Sequence, residues 1–220
     1  MPSAASQSLR SVHSVDVLPT VETRWFYQGA IPEPVLDWFR DGARGHEAAP
    51  SRVDHYLLVP DTATLGVKLR EGRIEVKQRF SEEGAIEFAE HAVGVVERWR
   101  KWGFSLADAG DSAAVLAEAG HWHAVTKLRL IRTYAVKPDG AVVLLPGPSL
   151  NEPTCSLELT CVAIASQRWW TVGLEAAGAA AASASTLQRI ASLALAGLRG
   201  FELRADASYG YPEWLRLLLV

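Results

Sequence analysis

The stretch from Leu65 to Phe80 alternates apolar and charged residues on either side of Glu71-Gly72. Such alternation is typical of strands with one buried face, and Glu-Gly suits a two-residue hairpin loop because glycine tolerates a positive φ. A loop of this length fixes the register of the two strands. It pairs Arg70 with Arg73, Lys68 with Glu75 and Gly66 with Lys77.

The predicted hairpin has one apolar and one charged face, because successive side chains of a strand point to opposite sides. Arg70 and Arg73 lie opposite each other, an arrangement of like charges that destabilises a strand pair. The charged face is therefore either a solvated outer surface or a surface that binds a polyanion. It carries Lys68, Arg70, Arg73, Glu75, Lys77 and Arg79, and the apolar face carries Val67, Leu69, Ile74 and Val76.

Composition limits the class of protein and its partners. A net charge of −3 and a pI near 6.1 argue against binding to a nucleic acid duplex. No apolar run reaches the length of a membrane span, so no membrane partner is predicted. Residues 1–16 are predicted to be a disordered lead-in without a secretory signal, and residues 17–220 a single domain of a cytoplasmic protein. The sequence does not indicate an oligomeric state.

The two cysteines fit a reducing compartment. Cys155 and Cys161 are predicted to lie on one strand, facing the same way and about 20 Å apart, which is beyond the reach of a disulfide. We expect both to be small core residues.

Several other segments give local predictions. Residues 32–39 and 177–198 are predicted to be helices, and the chain is expected to end in a turn and a short helix. Ser81 followed by two glutamates predicts a helix from 81 to about 91, because serine caps helices and carboxylates favour their first turn. A further short helix is predicted over residues 111–119. Residues 41–51 are predicted to be a loop.

The remaining segments predict eight or nine strands whose polar faces gather Lys and Arg. Antiparallel strands with helices on one side would bring these polar faces together. If the sheet closes on itself, the cations line an interior, which is tolerable only when it is wet, ion-paired or filled by an anion. Five tryptophans are then expected on the outer face under helices: Trp25, Trp99, Trp102, Trp169 and Trp170.

Short motifs in a particular order resemble the CYTH superfamily of triphosphate tunnel metalloenzymes, which includes adenylate cyclases and thiamine triphosphatases. The similarity extends from about Val21 to Leu215. The motifs are Glu22-Thr23-Arg24-Trp25-Phe26, Asp54-His55-Tyr56, Lys68-Leu69-Arg70, Glu75-Val76-Lys77, Lys127-Leu128-Arg129, Leu157-Glu158-Leu159-Thr160, Val172-Gly173-Leu174-Glu175 and Ser208-Tyr209.

The resemblance implies an α+β fold: a closed or nearly closed antiparallel eight-stranded β-barrel around a tunnel, with helices packed on the outside. It implies that cations from several strands bind a small phosphorylated anion, a triphosphate compound or polyphosphate. These are Arg24, Lys68, Arg70, Lys77, Arg79, Lys127 and Arg129. Tyr209 is expected either to close one tunnel mouth by hydrogen bonding or to pack against a helix.

The chain also departs from the family pattern at residues that matter for metal binding. Arg24 and Phe26 stand where the opening strand of the family has a second Glu and a Lys, and Gly173 stands where a second late carboxylate is expected. Glu22, Glu158 and Glu175 remain as candidate ligands for one Mg²⁺ or Mn²⁺, since Mg²⁺ prefers oxygen ligands. Arg24, beside Glu22, would repel such an ion and pair with the glutamate.

Three hypotheses for function follow. The first is a metal-dependent phosphohydrolase that acts on triphosphates, with water as the nucleophile. The second is a non-catalytic protein that binds an anion on the same scaffold, with a degraded metal site. The third is a structural or interaction protein whose charges only solvate a barrel. Phosphate release with and without Mg²⁺ separates the first from the others, and a bound anion separates the second from the third.

Overall fold

The structure is a computed structural model that describes residues 17–41, 47–105, 121–146, 154–177 and 180–219. The predicted lead-in over residues 1–16 and the predicted helix over residues 111–119 lie outside the described residues.

The described residues form nine strands and three α-helices. Of these helices, none is long and apolar enough to cross a membrane. The strands are Leu18–Gln28 (β1), Glu47–Leu57 (β2), Leu65–Arg70 (β3), Arg73–Ala89 (β4), Ala92–Ser105 (β5), Trp122–Val136 (β6), Val142–Leu145 (β7), Thr154–Ile164 (β8) and Gln167–Ala177 (β9). The helices are Glu33–Arg40 (α1), Ala180–Leu195 (α2) and Tyr211–Leu219 (α3), with a 3₁₀ turn at Ala205–Ala207.

Eight of the strands close into an antiparallel barrel. Their order is β2-β3-β4-β5-β1-β9-β8-β6, and a pairing between β2 and β6 completes the ring. The short strand β7 pairs with the C-terminal end of β6. A closed ring leaves no unpaired edge among these eight strands. The predicted fold class, an α+β protein with a closed antiparallel eight-stranded barrel, is confirmed, and α1 and α2 pack on the outside of the barrel.

The hairpin of β3 and β4 has the predicted register. Arg70 pairs with Arg73, Lys68 with Glu75 and Gly66 with Lys77. Glu71 and Gly72 both have a positive φ, at 49° and 72°, which matches the two-residue turns that follow the twist of a hairpin.

The prediction of a helix from residue 81 is wrong, because β4 continues to Ala89 and pairs with β5 throughout. Gly84 has a φ of +78°, a value that does not occur within a regular α-helix. It lies at a β-bulge between Glu82 and Ala85. Of the carboxylates that suggested a helix start, Glu83 instead pairs across the sheet with Arg98 of β5, and Glu82 pairs with Arg79 on the same strand.

The predicted loop over residues 41–51 is also wrong in its second half. β2 begins at Glu47, where it pairs with Ile131 of β6, and a bulge follows between Ala49 and Arg52. The Gly- and Ala-rich composition suggested a loop, but the long free edge of β6 provides partners for this segment. This pairing is the one that closes the barrel.

The main core lies between the outer face of the barrel and helices α1 and α2. It buries Trp25, Trp170 and Leu157 together with Leu187 and Ile190 of α2. The outer-face prediction is therefore confirmed for Trp25 and Trp170.

Other side chains do not lie in the predicted core. Trp99 is buried on the inner side, where it lines the cavity, and Trp169 contacts Trp214 of α3. Both cysteines are unpaired thiols, but only Cys155 is buried. Cys161 is exposed, which corrects its predicted place in the core; its neighbours on the same face, Leu157 and Leu159, are both buried in the main core.

Candidate functional site

The barrel encloses a cavity of about 230 Å³ that is lined mainly by charged side chains. Seven cationic and five anionic side chains line it, an excess of two positive charges when all are ionised. The cations are Arg24, Arg52, Lys68, Arg70, Lys77, Lys101 and Arg129, and the carboxylates are Glu22, Glu75, Glu97, Glu158 and Glu175.

The C-terminal helix α3 closes one end of the barrel interior. Trp214, which is 1% exposed, stacks on Phe26 at 5.1 Å between ring centroids, and Tyr211 stacks on Tyr56 at 5.3 Å. Val125 and Ile164 belong to the same apolar cluster. We call this aromatic cluster around α3 the plug. Phe26 stands where the CYTH motif has a Lys, and its ring belongs to the plug and not to a charged wall.

Backbone contacts just before α3 fix the position of the plug. The Ser208 hydroxyl accepts a hydrogen bond from the Val95 backbone N–H at 2.8 Å, and the Tyr209 N–H donates to the Arg24 carbonyl at 2.9 Å. The Tyr209 ring stacks on Phe26 at 5.6 Å. Tyr209 therefore helps to close this end by packing and by its backbone. Of the two alternatives for its side chain, packing is the one observed: the ring stacks on Phe26 of β1, in the cluster that also contains Trp214 and Leu215 of α3.

Arg24 of β1 and Gly173 of β9 are paired in the strand register. Two residues that depart from the CYTH motifs are therefore direct neighbours. A Cβ atom at Gly173 would lie 2.4 Å from Arg24 Cζ, hence the guanidinium occupies the space that any side chain there would fill. Arg24 reaches across the glycine to Glu158 at 3.5 Å and to the Thr171 hydroxyl at 3.3 Å. Burial would lower the pKa of Arg24, but the nearby carboxylates, led by Glu158, outweigh it and raise the pKa.

Lys127 lies behind the cavity wall rather than on it. Its ammonium donates to the Tyr56 hydroxyl at 2.7 Å, lies 3.0 Å from Asp54 Oδ2 and sits 3.7 Å from the centroid of the Tyr211 ring. Burial lowers the pKa of Lys127 to about 8, although Asp54 and Glu158 act in the opposite direction. The role of Lys127 in this geometry is to support the wall around Tyr56 and Tyr211.

The hairpin cations share one carboxylate. Glu75 lies 2.7 Å from the Lys68 ammonium and 2.6 Å from Arg70 Nη2, while Lys101 is further away at 3.7 Å. Burial would raise the pKa of Glu75, but the cations around it, led by Lys68, lower it to about 2. These pairs hold the hairpin face toward the cavity.

A second set of pairs involves the carboxylates of β1, β5 and β9. Lys77 contacts Glu22 and lies 3.5 Å from Glu175, and Arg79 contacts Glu97. Arg79 itself does not line the cavity, whereas Glu97 does. Burial raises the pKa of Glu97 above its usual value despite the neighbouring Arg79.

The three predicted metal ligands lie in the cavity wall, but their present partners do not fit a divalent cation. Glu22 and Glu175 face Lys77, while Glu158 faces both Arg24 and Arg129 at 3.5 Å. Within the described part of the chain, no group of three or more His, Cys, Asp or Glu side chains could hold a metal ion. Mg²⁺ or Mn²⁺ at these carboxylates stays a prediction that the observed pairing does not favour, because each carboxylate already has a cation beside it.

The structure brings together most of the residues that the sequence singled out. Eight of the ten predicted cations and carboxylates line the cavity, and the other two, Arg79 and Lys127, pair just behind it. Sequence reasoning did not assign Arg52, Lys101 or Tyr211 to the site. Arg52 shares a strand face with Tyr56, which was a usable signal. Lys101 lies on β5, whose facing could not be deduced from the sequence.

Buried carboxylates predict how stability changes in acid. Burial would raise the pKa of Asp54, Glu75 and Glu158, but adjacent cations outweigh it and lower each pKa to about 2. Because these folded-state values lie below the unfolded values of about 4, the stabilisation is complete above that pH and is lost as the pH falls toward 2.

In urea titrations we expect the free energy of unfolding to be nearly constant from about pH 7 to pH 5, and to drop by several kcal/mol by about pH 2. The variant Asp54→Asn should show a smaller drop. Equal stability at about pH 3 and pH 7 would contradict these ion pairs.

The fold and the cavity define a class: a closed antiparallel barrel with an ion-lined interior that α3 plugs at one end. No protein-family model matches the chain, and no curated protein matches it. Among solved structures, a conserved hypothetical protein from Pyrococcus furiosus is similar, with 15% sequence identity and a TM-score of 0.44; the match covers 88% of this chain and 98% of that one. Likeness at this level says nothing about function.

Proposed function

We propose that this protein is a divergent member of the CYTH-type triphosphate tunnel proteins, and that its cavity binds a small phosphorylated anion. The supporting observation is the convergence of seven Lys and Arg side chains from six strands on one enclosed space, where cations outnumber carboxylates by two. An enclosed excess of charge needs water or a counter-ion, and Arg and Lys suit phosphate oxygens.

Binding without turnover is the version of this function that the contacts support better. A metal-dependent phosphohydrolase would need carboxylates that are free to coordinate Mg²⁺ or Mn²⁺, whereas Glu22, Glu158 and Glu175 are each engaged by Lys or Arg. Hydrolysis of a triphosphate compound or polyphosphate remains the alternative version. The proposal locates the protein in the cytoplasm, and its two unpaired thiols support a reducing compartment.

The experiment that tests the proposal is a thermal-shift and calorimetric series with inorganic phosphate, pyrophosphate and tripolyphosphate, with and without Mg²⁺. Chloride at equal ionic strength is the control. An anion at a hundred times its Kd should stabilise the fold by about 2.7 kcal/mol. Phosphate release in the same samples distinguishes turnover from binding. The absence of binding by all three anions would overturn the proposal.

The affinity for the anion should depend on pH through Lys68. Burial, followed by the neighbouring Lys127, lowers the pKa of Lys68 to about 8, although Asp54 and Glu75 act in the opposite direction. Lys68 lines the cavity, so its positive charge is lost from the site as the pH rises through this value.

We expect affinity to fall about tenfold between about pH 7 and pH 9.5, because one charged contact is removed. Sulfate is the probe of choice for this calorimetric titration, since its own charge is constant over the range. In Lys68→Arg, which stays protonated, the affinity should fall less than in the wild type, and what remains of the fall reflects Lys127, whose pKa is also lowered to about 8. A wild-type affinity that is unchanged at the higher pH would contradict this role for Lys68.

A further inference from the structure

The deep half of the cavity, the part next to α3, contains polar groups that have no hydrogen-bond partner among the residues that the structure describes. The Tyr211 hydroxyl and Arg129 Nε are both buried and make no hydrogen bond, although both residues line the cavity. Arg52 Nε makes no hydrogen bond either, although it lies 3.2 Å from Asp54 Oδ1. Buried donors without partners are rare in native proteins, and several around one cavity indicate acceptor atoms that belong to a ligand.

These donors lie close to one another. Arg24 and Arg129 both approach Glu158 at 3.5 Å, and Arg24 Cζ lies 5.2 Å from the centroid of the Tyr211 ring. Arg24, Arg129 and the Tyr211 hydroxyl therefore surround one part of the cavity, next to the aromatic plug. The side chains of Arg24 and Arg129 are only 10% and 15% exposed.

The pairing of Arg24 and Arg129 leaves hydrogen-bonding capacity for a ligand. Charge-assisted hydrogen bonds are about 2.7–2.9 Å long, whereas both guanidinium groups lie 3.5 Å from Glu158. On the hairpin side, by contrast, Glu75 lies 2.6 Å from Arg70 and 2.7 Å from Lys68. The cavity thus has a tightly paired half and a loosely paired half, and Arg129 Nε and the Tyr211 hydroxyl belong to the loose half.

The charge of the site indicates the charge of its ligand. The cavity as a whole has two positive charges in excess, which match one dianionic group, and a phosphoryl group carries nearly two negative charges at neutral pH. The first residues of α3, Tyr211 and Pro212, also line the cavity, so the helix presents its N-terminal end to the same space. The positive end of a helix dipole favours an anion.

We infer that the deep half of the cavity is a metal-independent site for one dianionic phosphoryl group, held by Arg24, Arg129 and the Tyr211 hydroxyl. Arg24 supplies the positive charge next to Glu158, where a divalent ion would otherwise have to bind. Gly173 makes this possible, because only a residue without a side chain leaves room for the guanidinium. This inference rests on the proposed function and specifies its ligand and its lack of a metal requirement.

The test is calorimetric binding of inorganic phosphate to the full chain after passage over a chelating resin, and again with added Mg²⁺. We expect binding in the metal-free sample and an affinity that Mg²⁺ changes by less than about twofold. Tyr211→Phe removes only the unpartnered hydroxyl and should weaken binding about tenfold. Its matched control is Tyr209→Phe, since Tyr209 packs in the same plug but does not line the cavity.

Gly173→Ala provides a second variant that should fold, because the clash is with the far end of a flexible side chain. It should displace Arg24 and weaken phosphate binding at least about tenfold. Gly197→Ala is its control, since the added methyl group would make only an ordinary contact of 3.6 Å with Trp38.

The outcomes separate the two levels of the proposal. If the wild type binds no phosphorylated anion, the proposed function fails as well. If it binds phosphate only with Mg²⁺, or if Tyr211→Phe and Gly173→Ala bind as tightly as their controls, the inferred site is wrong while the proposed function stands.

Discussion

Trp214→Ala is expected to lower the free energy of unfolding by about 3–5 kcal/mol, the usual range when a large buried aromatic residue is truncated. Trp214 is 1% exposed, and its ring contacts Phe26 at 5.1 Å, Tyr211 at 5.8 Å and Trp169 at 6.0 Å. Its removal leaves a void at the centre of the plug that the barrel strands cannot fill. Urea denaturation followed by circular dichroism measures the change.

Leu217→Ala is the matched control for Trp214→Ala. Leu217 lies on the same helix but is 56% exposed, so its truncation should change the free energy of unfolding by less than about 0.5 kcal/mol. Comparable losses in the two variants would mean that α3 is not a plug of the barrel. A small loss for Trp214→Ala would lead to the same conclusion.

Arg24→Glu is expected to abolish phosphate binding in metal-free buffer, with a loss of affinity of at least about a hundredfold. The substitution removes one positive charge and adds one negative charge, so the formal excess of two in the cavity becomes zero. It also places a fourth carboxylate near Glu22, Glu158 and Glu175. Oxygen ligands gathered in this way suit Mg²⁺ or Mn²⁺, so the variant should bind Mn²⁺ more tightly than the wild type does.

Calorimetric titrations of Arg24→Glu with phosphate and with Mn²⁺ measure both effects. Arg100→Glu makes the same charge reversal at an exposed residue of β5 that lies over Phe80, outside the cavity, and should bind phosphate like the wild type. Arg24→Gln, which removes the charge without adding a carboxylate, should lose phosphate binding without gaining Mn²⁺ binding. Unchanged phosphate affinity in Arg24→Glu would exclude Arg24 from the site.

The hairpin could be predicted from sequence because two independent local signals agree. Strict alternation fixes which residues share a face, and Glu71-Gly72 fixes the register, so the pairing of Lys68 with Glu75 follows. The inward facing of Arg24, Glu158 and Arg129 then depends only on the closure of the sheet. Local patterns of this kind predict which side chains share a face and how they pair in the site.

Other features depend on partners that are distant in sequence and could not be predicted. On β5, apolar residues occur on both faces: Trp99 lines the cavity and Val96 packs in the outer core. The alternation of residue types therefore does not show which side chains of β5 point into the barrel. At Ser81, helix-capping residues are present, but pairing with β5 overrides them. An amphipathic helix such as α3 has the same sequence pattern whether it covers a barrel or enters its end.

The most direct test of the account is a crystal structure of the wild-type protein grown with phosphate and without divalent metal, under conditions where calorimetry shows saturation. We expect one tetrahedral anion in the deep half of the cavity, within hydrogen-bond distance of Arg24, Arg129 and the Tyr211 hydroxyl. An anion bound on the outer surface, with water alone in the cavity, would contradict it.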